Sequence, residues 1–188
     1  MSEPDVRLHD RLLGDPQVAV RFTAVAQLQA MLDVEAALAD AEAAVGVVPA
    51  GCVAHIRAAA RAELYDRATL ASETAHAGNP VIPMVRHLTA RVAATDADAA
   101  RYVHWGATSQ DVMDTALVLQ LRAAVPDILG HIERATRASA RLARRYADTP
   151  MAGRTWLQQA TPTTFGVKAA GWLDGLDRTR RWLQSGLD

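Results

Sequence analysis

From Ser109 to about Tyr146, apolar residues recur at three- and four-residue steps: Val112, Ala116, Leu119, Ala123, Ile128, Ile132, Ala135 and Leu142. That spacing puts the apolar side chains on one helix face, so the run predicts a single long α-helix. Pro126 lies inside it and predicts a kink near Arg122, because proline lacks a backbone donor and crowds the preceding turn. A second long helix is predicted from near Pro162, capped by Thr161, with a stripe of Phe165, Ala169, Trp172, Leu176 and Leu183. Two long helices cannot bury both their apolar faces as a bundle of four can. Either partner chains supply the missing faces, or the chain is the front part of a longer protein.

The residues before Ser109 divide into shorter helical segments. Met1–Gly14 is polar and punctuated by Pro4, and reads as a loose arm. Val18 to Val45 predicts a helix with the stripe Val25, Leu28, Met31, Leu32, Val34, Leu38, Ala41 and Val45, ended by Gly46 and Pro49. Shorter helical segments follow at Cys52–Leu64, Asp66–Ser72, Val81–Val92 and Asp96–Val103, with a loop at Glu73–Pro80. Asp148–Gln159 reads as a connector between the long helices. No alternating strand of useful length occurs, so the fold class is all-α. The expected organisation is an N-terminal helical domain over residues 1–108 and the start of a long-helix bundle over residues 109–188.

Charge narrows the choice of partners. With 20 Lys and Arg against 21 Asp and Glu, the chain has no basic field suited to nucleic acid. Its one cysteine, Cys52, excludes an internal disulfide and fits a reducing, cytoplasmic setting. No run is apolar for the roughly 18 residues of a membrane span, so no membrane partner is expected. The six histidines show no paired ligand spacing, so no metal is expected.

The chemistry-bearing residues gather at two corners. His104-Trp105-Gly106-Ala107-Thr108-Ser109-Gln110-Asp111 delivers two adjacent hydroxyls and an amide to the start of the first long helix. Thr108 or Ser109 can cap it, with Asp111 completing a capping box, and open N–H groups there suit a carboxylate ligand. An ordinary capped helix start accounts for the T-S-x-D pattern alone. His104 can act as a general acid, orient a substrate, or serve as a structural hydrogen bonder. The second corner, Arg154-Thr155-Trp156-Leu157-Gln158-Gln159, precedes the other long helix, and Asn79 follows a loop glycine.

These two corners resemble the first and second signature blocks of the fumarase/aspartase superfamily, in its adenylosuccinate-lyase-like branch. The first block runs to Thr115 and the second from Gly153 to Lys168. Gln29–Leu38 and Ala77–Pro83 agree as well, so the resemblance spans nearly the whole chain. Fumarate-producing members usually carry histidine where Trp156 stands. An indole cannot shuttle a proton at neutral pH, so Trp156 points to the bacterial cycloisomerases of this branch, which lactonise a tricarboxylate diene during aromatic catabolism through the β-ketoadipate pathway. The resemblance implies catalytic or carboxylate-binding roles for His104, Thr108 and Ser109. It implies substrate contacts for Gln110, Arg154, Thr155, Trp156, Gln159 and Asn79. It also implies a homotetramer whose active site draws on three subunits. The mobile Gly-Ser-Ser-x-Met-Pro-x-Lys-x-Asn loop of the family has no counterpart here, so the chain alone is expected to be inactive. Two readings compete: a fumarate-producing lyase of the same branch, and a shortened, non-catalytic helical assembly module.

Overall fold

The computed structural model describes Leu12 and residues 14–187. Most of the expected N-terminal arm lies outside the described residues. The chain forms two compact units, Met1–Ala123 and Ala124–Asp188. Both are built from helices, as expected for an all-α chain.

In the first unit a single helical turn, Pro16–Ala19, and a 3₁₀ turn, Val20–Phe22, precede helix α1 (Ala24–Ala44). The helix predicted from Val18 therefore starts later. Thr23 caps it by accepting from the Ala26 N–H at 3.2 Å. α2 (Ala50–Ala59), α3 (Arg67–Ala77) and α4 (Val81–Ala93) follow, and a 3₁₀ turn, Ala99–Tyr102, stands where a short helix was expected. α3 corrects the loop expected from Glu73. Asp66 caps it, accepting from the Thr69 N–H, and the helix continues to Gly78, whose φ of 68° makes a left-handed C-cap. Only Gly78–Pro80 remains as connection.

Leu28, Met31 and Leu32 of α1, Ile56 of α2, Val81, Met84, Leu88 and Val92 of α4, and Val112 and Ala116 farther along form one buried cluster. Gln29 ties the chain between α2 and α3 to α1: its amide donates to the Ala60 carbonyl at 3.0 Å and accepts from the Ala62 N–H at 2.8 Å. The buried face of α1 is not quite the predicted one. Glu35 and Ala39 lie on it, Val34 and Leu38 are half-buried, and Val25 and Val45 are 42% and 76% exposed. In a helix that is apolar almost all round, periodicity hardly separates one face from the next.

α5 (Ser109–Arg145) is the long helix expected, and it continues through Pro126. Val112, Ala116 and Gln120 are buried on it, whereas Leu119 is 39% exposed. Gln120 donates to the Arg21 carbonyl at 2.7 Å, which satisfies its buried amide within the first unit.

The second unit contains two short antiparallel pairings and α6 (Phe165–Ser185). β1 (Pro150–Met151) pairs with β4 (Thr163–Thr164), and β2 (Arg154–Thr155) with β3 (Gln158–Gln159). The expected connector is thus a folded hairpin inside a second ladder. That ladder also moves the start of α6. Thr161 and Pro162 precede β4, and Thr164 is the cap, accepting from the Val167 N–H at 3.2 Å. Two glycines are required on steric grounds. A Cβ on Gly153 would lie 2.1 Å from the Thr161 carbonyl oxygen, and one on Gly166 would lie 2.6–2.8 Å from backbone atoms of Ala147, Ala143 and Tyr146. Phe165 stacks edge-on against Tyr146 and Trp172, with centroids 5.4 and 6.0 Å apart.

Candidate active site

The corner before α5 is a tight turn with two left-handed residues, His104 at φ 57° and Gly106 at φ 68°. Glycine accepts that conformation freely, while a residue with a Cβ adopts it at a cost. His104 is held there by a contact beneath the turn: its Nδ1 lies 2.6 Å from Glu35 Oε1 on α1. The Glu35 side chain is 0% exposed and that of His104 18%. Trp105 leans on Tyr102 with ring centroids 5.7 Å apart.

Thr108 stands at the cap of α5. Its N–H donates to Asp111 Oδ2 at 3.4 Å, the return half of a capping box. The Thr108 and Ser109 hydroxyls make no hydrogen bond among the described residues. An ordinary cap would engage at least one of them, so both are available to a ligand. Gln110 donates its amide to Asp114 Oδ1 at 2.7 Å, one turn along.

A cavity of about 520 Å³ runs beside the corner, lined among others by Asp33, Val34, Gly106, Ala107, Asp111 and Thr115. Its two carboxylates disfavour an anionic guest. The hydroxyls and helix-start N–H groups are the side of the corner that suits one.

Asn79 heads α4, where its Oδ1 accepts from the Val81 N–H at 2.8 Å, so its side chain already completes a turn. His76, exposed on α3, bonds the Ser72 carbonyl with Nδ1 at 2.8 Å.

The other corner lies in the second unit, on the β2–β3 hairpin. Arg154 pairs with Gln159 and Thr155 with Gln158 in the ladder, leaving Trp156 and Leu157 at its tip. Leu157 has φ 59°, rare for a branched side chain. Trp156 is 88% exposed and Leu157 95%, so Trp156 is not a core aromatic of its own unit. The Thr155 hydroxyl donates weakly to the Gln158 carbonyl at 3.5 Å. Arg154 and Gln159 are exposed and make no side-chain hydrogen bond or ion pair among the described residues. The hairpin thus brings Arg154, Thr155, Trp156 and Gln159 together, as the corner before α5 does His104, Thr108, Ser109 and Gln110.

Sequence reading missed Glu35. Burial pushes its carboxyl above the ordinary 4.5, the charge and hydrogen bond of His104 oppose the rise, and nearby Glu42 adds to it. Burial raises Glu42 as well. The available signal was a glutamate three and four residues from Leu32 and Met31, on the apolar face of a helix.

A family model described as lyase matches residues 14–187. The chain belongs to the lyase family. Its all-α build and two signature corners are those of the fumarase/aspartase superfamily. Among relatives of this lyase-family chain is the 3-carboxy-cis,cis-muconate cycloisomerase of Pseudomonas aeruginosa, 57% identical over 172 residues, which are 92% of this chain and 37% of the relative. The nitrosuccinate lyase of Streptomyces davaonensis is 49% identical over 168 residues, 89% of this chain and 35% of the relative. The crystal structure of the 3-carboxy-cis,cis-muconate lactonizing enzyme from Pseudomonas putida superposes with a TM-score of 0.87 at 48% identity, over 96% of this chain and 41% of that one. The lyase-family chain therefore spans about two fifths of the length of the relatives it matches.

Proposed function

We propose that this chain is part of a 3-carboxy-cis,cis-muconate cycloisomerase, a cofactor-independent intramolecular lyase of aromatic catabolism acting in the cytoplasm. The observation that carries the reading is the 57% identity to the Pseudomonas aeruginosa cycloisomerase over 92% of the chain. Trp156, in place of a proton-carrying histidine, supports it.

In the reaction, one carboxylate oxygen of the tricarboxylate diene forms the C–O bond of a γ-lactone. The π pair of the attacked double bond moves to the neighbouring carbon and into its carboxylate as an aci-carboxylate. That carbon then takes a proton. The Thr108 and Ser109 hydroxyls and the α5 N–H groups clamp the carboxylate where charge develops, and one such fixed donor typically contributes about 3 kcal/mol. Arg154 offers a bidentate partner to another carboxylate, with Thr155 and Gln159 beside it. Gln110 and Asn79 complete the contacts to substrate, Trp156 walls off water, and His104 carries or orients the proton. The active site draws on different subunits of a homotetramer whose long helices, begun at residue 109 after a 1–108 domain, pack together. Neither nucleic acid nor membrane takes part.

A chimera tests this reading: the chain replaces the matched segment of the Pseudomonas putida enzyme. The expected chimera consumes 3-carboxy-cis,cis-muconate, followed by the loss of diene absorbance, and Ser109→Ala lowers its kcat/KM at least about tenfold. The 188-residue chain alone gives no turnover. A folded chimera that cleaves nitrosuccinate and leaves the muconate untouched would overturn the assignment in favour of the second reading, a lyase like the Streptomyces davaonensis relative.

A further inference from the structure

The buried pair beneath the corner turn has a purpose that the ligand contacts above do not use. We propose that Glu35 is a positioning residue for His104: its carboxylate accepts the Nδ1–H, fixes the ring as the Nδ1–H tautomer, and leaves Nε2 to exchange a proton with the bound substrate. The last clause rests on the cycloisomerase reading; tautomer and orientation do not.

Three observations carry it. The contact is short, 2.6 Å, and lies between a fully buried carboxylate and a ring that is 18% exposed. The hydrogen bonding of the Glu35 carboxylate is directed at His104, at its ring and its backbone, while Oε2 is buried without a partner. A carboxylate among Met31, Leu32 and Ala39 does not serve stability, because an apolar side chain of that volume would pack there without desolvating a charge.

The backbone adds the second observation. His104 occupies left-handed φ 57°, a conformation that persists only where surrounding contacts impose it. The turn thereby directs the ring down onto α1. Glu42 lies two turns along the same helix, and its Oε1 would be 3.9 Å from a Cβ on Gly106, so the turn rests over two acidic side chains.

The third observation is the ring's other nitrogen. Nε2 of His104 has no partner among the described residues. The hydrogen bond at one imidazole nitrogen decides what the other can do. With Nδ1–H donated to a carboxylate, Nε2 is a proton acceptor in the neutral ring and a donor in the charged one. Free histidine favours the opposite tautomer, which makes the arrangement measurable.

The experiment is a long-range ¹H–¹⁵N correlation spectrum of the ¹⁵N-labelled 188-residue chain at alkaline pH, with His104→Ala to assign the ring. The expected result is a protonated Nδ1 and an unprotonated Nε2 for His104. Glu35→Gln retains this pattern, because its amide oxygen still accepts; Glu35→Leu reverts to the Nε2–H tautomer, with unchanged far-UV circular dichroism. An Nε2–H tautomer in the unmutated chain overturns the proposal, and that spectrum decides even if Glu35→Leu does not fold. In the chimera, Glu35→Leu lowers kcat by about tenfold or more with little change in KM, and Glu35→Gln restores most of it. A chimera without cycloisomerase activity, together with an Nδ1–H ring, would sink the functional reading while this inference stands.

Discussion

Two buried ionisable side chains set the pH response of individual residues. Tyr65, 7% exposed, donates its hydroxyl to the Ala59 carbonyl at 2.8 Å, and burial pushes its pKa from 10 to about 12, with Arg91 opposing. A raised tyrosine pKa means that the neutral form is the one folded structure prefers. The stability it contributes is complete below about pH 10 and is lost as pH rises toward 12. Tyr65 should therefore ionise late in an absorbance titration, and Tyr65→Phe should remove that late step. Glu35 behaves in the same sense at lower pH. Its raised pKa makes the ionised form costly to the fold, so stability relative to Glu35→Gln should fall as pH rises through and above 4.5. Thermal melts of both proteins from about pH 4 to 7 check this; an unmutated chain that gains stability relative to Glu35→Gln as pH rises would contradict it. At this scale the sequence was partly legible. His104, Thr108 and Ser109 stood out because polar residues crowd a turn, whereas Glu35 did not, because its partner is 69 residues away in sequence.

Among the elements, glycine positions in α6 offer an internal contrast. Gly166 has no room for a Cβ, with three backbone atoms inside 3 Å, while Gly171 on the same helix has nothing within 4 Å. Gly166→Ala should destabilise the second unit by about 1–3 kcal/mol through overpacking. Gly171→Ala should stabilise by about 0.5–1 kcal/mol, since alanine loses less backbone freedom in a helix. Chemical denaturation of the two variants measures both, and equal effects would refute the packing argument. Helix existence was legible from periodicity, and so were the stop at Gly46 and a cap at Thr108 or Ser109, whereas the cap at Gly78 was hidden because the polar run from Glu73 reads locally as a loop. The cap of α6 was hidden too. Thr161, Thr163 and Thr164 are equally good caps locally, and pairing of Thr163–Thr164 with Pro150–Met151 selects the last. The β2–β3 hairpin escaped for a similar reason: strands of two residues are too short to show alternation.

For the whole molecule, family membership and helix inventory leave a question of cover. Leu117, Val118 and Leu121 of α5 are 48%, 52% and 42% exposed, and Val167, Trp172 and Trp182 of α6 are 63%, 46% and 74% exposed. Apolar surface in such quantity along two long helices is the mark of an association face. The chain should therefore sediment as an oligomer, and Trp182→Asp with Val118→Asp should shift it toward monomer. No helix among the described residues is long and apolar enough to cross a membrane. By itself, the order of amino acids determined the all-α class, the long helix from Ser109, the two polar corners and the family they mark, because these depend on local periodicity and on short motifs. Only the tertiary structure decided which face of the alanine-rich α1 is buried, which threonine caps α6, and that a buried glutamate grips His104. Those outcomes depend on contacts between residues remote in sequence, where several local choices are nearly equal in energy and packing selects among them.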